Sequence, residues 1–376
     1  MSSRTTYGLA ALIGAGDIKS SMIVDGAITN AKVNTSAAIL KSKLSGVGIF
    51  STGIDGTYTL DGTQAAVGGV FSKAGNVYTL LKTVNFSSLT VSAGVTVECN
   101  GYILKTEVLV NNGTIQNNGQ NASNPASGQA GGAGGAGGIG NDLAAGPTGG
   151  TGGTANNPGG VGTAGTAKNP SLGVAGVSAG TGGNSNNGNT GGAPGAAGAA
   201  TGEALTVSRT VTKTLTAGAN DTVNFALAIL GATSLAALSP SAGSAGGGGG
   251  AMSFNQGGGG GGAGGTGGIV LIVAETITNA GTIQANGGNG AKGADSLQEG
   301  SIFGGGGGGG GAGGSGGVVI LIYTTLTGAG AINVTAGSAG ALGLAGLGNS
   351  SANPGTNGTA GTAGLVGKIY KLALAA

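Results

Sequence analysis

Apolar and small polar residues alternate in short bursts between residues 58 and 110. The runs 58–60, 76–81, 89–91, 95–98 and 103–110 are rich in Val, Leu, Thr and Tyr. Asp61-Gly62, Ala74-Gly75-Asn76, Ala93-Gly94 and Asn100-Gly101 separate them. This punctuation predicts short strands joined by tight turns. Two stronger bursts follow later, IVLIVAETIT at 269–278 and VVILIYTTLT at 318–327, and each leaves a glycine tract, 257–268 and 304–317. The phrase TEVLVNNGTIQNNGQN (106–121) returns as AETITNAGTIQANGGN (274–289) and more faintly as YTTLTGAGAINVTAGS (323–338). From Glu107 to Glu275 the spacing is 168 residues, and from Glu275 to Thr324 it is 49. A half copy, LVGKIYKLAL (365–374), aligns with VVILIYTTLT at an offset of 47. An internal repeat of strand pairs with inserts of variable length explains these spacings.

Glycine changes the picture. It supplies 92 of 376 residues, and an isolated glycine run loses more conformational entropy on folding than any other sequence. Few residues are charged and apolar residues are frequent, a balance that favours an ordered chain over a solvated coil. The tracts are therefore expected to pack against one another as extended helices of three residues per turn, with backbone bonds between neighbours that only glycine allows to approach so closely. Collagen is excluded, because runs such as 304–311 break the triplet and there are only 7 Pro.

These readings predict an all-β chain with extended polyglycine-II-like helices, built as a short-strand solenoid or sandwich with packed glycine-rich tracts and an N-terminal oligomeric arm. Its divisions are an arm at 1–50, a short-strand β domain at 51–121, a glycine-rich insertion at 122–202, a β-hairpin and linker at 203–245, and repeated tract-and-strand units at 246–376. In the hairpin, Leu205, Val207, Val211 and Leu215 alternate with Thr and Ser, and Val223, Phe225, Leu227 and Ile229 alternate after the turn. Arg209 and Lys213 fall on its apolar face, which suggests an edge strand or a subunit contact.

The arm has its own period. Ile18, Ile23, Ile28, Val33, Ile39 and Leu44 recur at steps of five or six, neither 3.6 nor 2. One chain with such sparse anchors encloses no core, whereas several copies around a common axis point them inward, so these six are the candidate oligomer axis. The motif that holds the last four of them, DGAITNAKV followed by AAILKSKL, resembles the N-terminal segments of bacteriophage fibre and virion-attachment proteins. That resemblance implies a homotrimer that docks on another virion protein through residues 1–50. The pairing of glycine runs with apolar strands is similar to the polyglycine-sandwich adhesin domains at the tips of some T-even-like phage tail fibres, where loops between glycine helices contact host receptors.

Candidate chemistry is sparse. The chain has no His and one Cys, which removes imidazole bases, the common triads, His-containing zinc sites and cysteine metal clusters within a chain. Asp55 and Asp61, the closest suggestive carboxylates, read as turn residues. GGIGNDLA (137–144) fits the start of a calcium-binding nonapeptide, but the similar GGNGAK has Lys292 where Asp is needed. Cys99 reads as a packed thiol. Lys and Arg number 14 against 12 acids and are dispersed, which argues against nucleic acid, and no apolar run is long enough for a membrane span. The N-terminus lacks a convincing signal-peptide pattern. The expectation is a non-enzymatic protein without cofactor or metal, on the virion exterior, that displays its body to a host surface glycan or outer-membrane protein. Asn184, Asn186, Asn187 and Asn189 are the first receptor-binding candidates and residues 296–299 the second. A capsid decoration protein or head fibre, and a non-viral structural or ice-binding protein, are the alternatives.

Overall fold

In the computed structural model, residues 50–125, 130–143, 145–155, 160–162, 178–182, 184, 257–296, 304–347 and 354–374 are described. The chain divides into two compact units, Met1–Ser45 and Gly46–Ala376, and these residues all fall in the second. The six axis positions Ile18, Ile23, Ile28, Val33, Ile39 and Leu44, and the hairpin at 203–230, lie outside them.

The described residues form strands and no helix. The order is β1 (Thr57–Leu60), β2 (Phe71–Ala74), β3 (Val77–Leu80), β4 (Val84–Val91), β5 (Thr96–Glu98), β6 (Leu104–Asn111), β7 (Thr114–Gln116), β8 (Ile269–Asn279), β9 (Thr282–Gln284), β10 (Val318–Thr327), β11 (Ala331–Asn333) and β12 (Lys368–Ala373). From β4 onward a longer strand turns a corner into a three-residue one, as in β6–β7, β8–β9 and β10–β11. The corners are close: a Cβ on Gly113 would meet the Val95 carbonyl oxygen at 2.4 Å, and one on Gly281 the Gly113 oxygen at 2.1 Å. Asn111 and Asn279 stack inside the corner, where Nδ2 of Asn111 donates to Oδ1 of Asn279 at 2.7 Å.

The long strands make one sheet, β1-β4-β6-β8-β10-β12, and the short ones a second, β11-β9-β7-β5-β3-β2. All pairings are parallel except β2–β3, an antiparallel hairpin at one end of the second sheet. Strands from 51–121 and from 246–376 thus share both sheets and one core, which includes Phe71, Tyr78, Phe86, Leu89, Val97, Leu109, Ile115, Ile272, Ile283 and Leu321. Cys99 is buried within it, and that burial pushes its thiol pKa up.

The long strands bend partway. Core-facing residues run Val84, Phe86 and then Leu89, Val91; in β8 they run Ile272, Ala274 and then Ile277. Residues facing one side of a strand alternate with period two, so each series has one extra residue. It falls at Ser87, Glu107, Glu275 and Thr324, the positions skipped between Phe86↔Thr106 and Ser88↔Val108, between Thr106↔Ala274 and Val108↔Thr276, and between Tyr323↔Ala274 and Thr325↔Thr276.

The offset of 47 for the final half copy is corrected. β12 pairs Val318 with Lys368 and Ile320 with Tyr370, which is three residues further. Glycine contacts explain the difference: Gly367 lies where a Cβ would meet the Gly317 oxygen at 2.0 Å, so the tracts hold the register that Tyr323 and Tyr370 suggested otherwise.

Candidate binding surface at the far end of the glycine tracts

Three tracts leave the short strands at 117–125, 285–296 and 334–347, and three return to the long strands at 257–268, 304–317 and 354–367. Backbone bonds join neighbours at every third residue. Gly308, Gly311, Gly314 and Gly317 donate to the carbonyls of Ala294, Ala291, Gly288 and Ala285, while Gly307, Gly310, Gly313 and Gly316 donate to Thr356, Thr359, Thr362 and Leu365. Gly337, Gly340, Gly343 and Gly346 donate back to Gly314, Gly311, Gly308 and Gly305. Returning tracts run parallel to one another and antiparallel to outgoing ones. Residues 130–143 and 145–155 join the same array beside 257–268, through Gly132, Gly135 and Gly138 and through Pro147, Gly150 and Gly153.

Exposure follows the same period. Along the outgoing tract, Thr335, Ser338, Ala341, Leu344 and Leu347 are exposed, and Val334, Gly337, Gly340, Gly343 and Gly346 are buried. The exposed third carries side chains in rows. Oδ1 of Asn118, Asn121 and Asn124 accepts the backbone N–H of Asn286, Asn289 and Lys292, and Oδ1 of Asn286 and Asn289 accepts that of Thr335 and Ser338. Each asparagine thereby supplies an acceptor to an outward N–H that no neighbouring tract reaches. At the next position the row has a lysine, which has no acceptor to offer Ala341. The row resumes at Asp295, whose Oδ1 accepts the Leu344 N–H at 2.8 Å. Lys292→Asn is therefore expected to raise stability by about 0.5–1 kcal/mol, read by thermal denaturation. It gives up only an exposed ion pair, Lys292 Nζ to Asp295 Oδ1 at 2.8 Å, of a kind that contributes little.

Away from the sheets the described tracts end at residues 125, 130, 155, 257, 296, 304, 347 and 354. A shallow groove of about 280 Å³ lies there, lined by Asn124, Pro125, Lys292, Gly293, Ala294, Asp295 and Ser296. Lys292 bonds both Asp295 oxygens and, as the main cause, holds its carboxyl below the usual carboxylate range. The groove thus offers a fixed cation beside a carboxylate and an asparagine amide, a set suited to a polar, hydroxyl-bearing ligand.

Two sequence candidates lie at this end. Asn184 bonds Thr356 through its backbone, its N–H donating to the hydroxyl at 2.6 Å and its carbonyl accepting from the Thr356 N–H at 2.8 Å and from the hydroxyl at 3.3 Å. Ser296 lines the groove. Asn186, Asn187, Asn189 and residues 297–299 fall outside the described residues. Lys292, Asp295 and Asn124 were not singled out as ligand contacts; the recurrence of Asn at every third position of 118–124 and 286–289 was the available signal.

Other carboxylates among the described residues are engaged elsewhere. Asp55 pairs with Lys82 at 2.6 Å and accepts the Asn85 N–H, and Asp61 closes a turn on Thr63 and Gln64. Asp142 accepts from the Thr83 hydroxyl. Among the described residues no three His, Cys, Asp or Glu gather as metal ligands. In Glu98 burial raises the carboxyl pKa, against the opposing bond from Gln116. A carboxyl raised on folding makes stability greatest below the ordinary carboxylate range and lowers it as pH climbs through the raised value. Glu98→Gln keeps an acceptor for Gln116 and is expected to flatten that decline in melting temperature between mildly acidic and neutral pH. Comparisons with protein families, with curated proteins and with solved structures found no match for this chain.

Proposed function

We propose that this chain is a bacteriophage virion structural protein, a fibre or spike subunit on the particle exterior. Residues 1–50 dock it on another virion protein and trimerise it about Ile18, Ile23, Ile28, Val33, Ile39 and Leu44. The body is a short-strand solenoid whose glycine tracts form polyglycine-II-like helices, and it holds loops toward a host glycan or outer-membrane protein. It has no catalytic role and needs no cofactor. The observation that carries the reading is the Lys292–Asp295 groove at the far end of tracts held together by backbone bonds. Loops on a rigid scaffold are where binding residues concentrate. A tract interior with few side chains offers no comparable contact.

Adsorption tests this. Particles carrying Lys292→Ala with Asp295→Ala should assemble normally and bind hosts at least tenfold more weakly. Normal adsorption by those particles, and by particles that retain only residues 1–50, would move the protein to the capsid decoration or head-fibre class.

A further inference from the structure

Asparagine followed by glycine carries a slow reaction of its own. The glycine nitrogen, having lost its proton, attacks Cγ of the asparagine. The Cγ–Nδ2 bond breaks, ammonia leaves, and a five-membered imide closes. Water then opens the ring, and a carboxyl group stands in place of the amide. The step needs no catalyst, but it needs a nitrogen free to approach and a carboxamide free to turn toward it. Among the described residues Asn100, Asn112, Asn118, Asn286, Asn289 and Asn357 each precede a glycine.

We infer that Asn112 is a site of spontaneous deamidation, which the fold leaves open while it closes the same chemistry at the asparagines of the tracts. In the outgoing tracts both reacting groups are held by a single neighbour. Oδ1 of Asn118 accepts the Asn286 N–H at 2.7 Å, and the Gly119 N–H donates to the Asn286 carbonyl at 2.8 Å. Asn286 and Gly287 clamp Thr335 in the same way at 2.9 Å each, and Asn289 and Gly290 clamp Ser338 at 2.8 and 2.9 Å. Asn118 and Asn286 also donate Nδ2 to Oε1 of Gln116 and Gln284, so their carboxamides are fixed at both ends. At Asn357 the carboxamide holds the Ala345 N–H, and Gly358 donates to the Gly343 carbonyl. To react, each of these pairs has to give up one bond on the attacking nitrogen and at least one on the carboxamide, which slows the step by about tenfold or more.

The corner between β6 and β7 is different. Asn112 is exposed, and its carboxamide has no partner among the described residues. Its own N–H donates to the Val91 carbonyl at 2.8 Å, which fixes the main chain and leaves the side chain free to turn. The Gly113 N–H has no acceptor among the described residues. Glycine is required at 113 by the closeness of the Val95 oxygen, so the reactive pair cannot be lost there. Asparagine is not required at 112, since the corresponding corner of β8 and β9 has Ala280 before Gly281. Asn100 stands between the two cases: its Nδ2 donates to the Leu80 carbonyl at 3.2 Å, while the Gly101 N–H has no bond.

Peptide mapping by mass spectrometry of the full chain, kept folded at mildly alkaline pH, tests this. Asn112 should convert at least tenfold faster than Asn118, Asn286 or Asn289, and faster still as pH rises, because the attacking nitrogen has to lose its proton. In strong denaturant, where neither clamp nor corner persists, the four should convert at similar rates. An intact Asn112 in the folded chain, or conversion there no faster than in the tracts, overturns the inference. So does a ranking that persists in denaturant, because it would then come from local sequence and not from the fold. Ser338→Pro gives a second reading. The backbone of an extended three-residue helix suits proline, and the substitution removes the N–H that Oδ1 of Asn289 accepts. Asn289 should then convert severalfold faster, with Asn286 at its former rate. An unchanged rate at Asn289 would overturn the clamp.

Discussion

Gly311→Ala is expected to cost more than about 4 kcal/mol and to abolish the cooperative melting transition of the body at ordinary temperatures. The added methyl would stand 1.9 Å from the Gly262 carbonyl oxygen and 2.5 Å from its carbon, and both are backbone atoms. That backbone cannot yield alone. The 257–268 tract is fixed by bonds from Gly261 to Gly309 and Gly264 to Ala312, and the 304–317 tract by bonds from Gly311 to Ala291 and from Gly340 to Gly311. Separating the two tracts to admit a methyl would lengthen several bonds at once and leave buried donors unpaired, each at about 1–3 kcal/mol. The sharp contrast is Ala312, one residue on, which is fully buried and accommodated. Ser338→Ala, on the exposed third of a neighbouring tract, should stay within about 0.5 kcal/mol. Denaturation of the three proteins side by side checks the pattern. Equal melting of Gly311→Ala and wild type, with freely exchanging amides at 304–317, would mean that the tract is not packed as described.

The second large effect is expected from Phe86→Ala, about 3–5 kcal/mol. Phe86 is fully buried, with the Tyr58 ring edge-on at 5.2 Å and the Phe71 ring stacked at 5.6 Å. Phe71 in turn meets Tyr58 at 5.8 Å and Tyr78 at 6.1 Å, and the Tyr78 hydroxyl donates to the Gln64 carbonyl at 2.8 Å. Four aromatic rings thus fasten β1 and the β2–β3 hairpin to one end of the sheets. Removing the Phe86 ring should loosen this end first. Hydrogen exchange should accelerate in β1 to β5 well before it does in β8 and β10, whereas Gly311→Ala should act in the opposite order. Uniform acceleration in both variants would show that the two ends are one cooperative unit.

Much of this protein is legible in its sequence because its contacts are periodic. The recurrence of TIQ after a two-residue corner places β7 and β9, and the 168-residue spacing reappears as the bond from Gln284 to Gln116. In GGAGGTGG and GGAGGSGG the residues that are not glycine fall on one third of the tract. That is the third where Ala263, Thr266, Ala312 and Ser315 are buried with room for a side chain, and Thr266 uses it to bond the Pro147 carbonyl. Glycine spacing also foretold backbone bonding between tracts, since a chain without side chains has only its amides to satisfy. Of the groove's lining only Ser296 stands among the sequence candidates, and Lys292 and Asn124 come together only because tracts distant in sequence lie side by side.

Tertiary structure alone decided three things. The register of β12 follows glycine contacts made a tract away, not the likeness of its apolar residues, because a shift there would drive backbone into backbone. The bend at Glu107 and Glu275 inserts a residue into an alternation that reads as unbroken, and it is fixed by the need for each strand to match the one beneath it. The antiparallel β2 escaped the sequence reading because FSKA has no apolar alternation of its own, and it is a strand only because β3 offers it an edge. Period and composition are local and stay visible in one dimension. Register, bends and edges depend on which neighbour is present, and the neighbour is supplied by the fold.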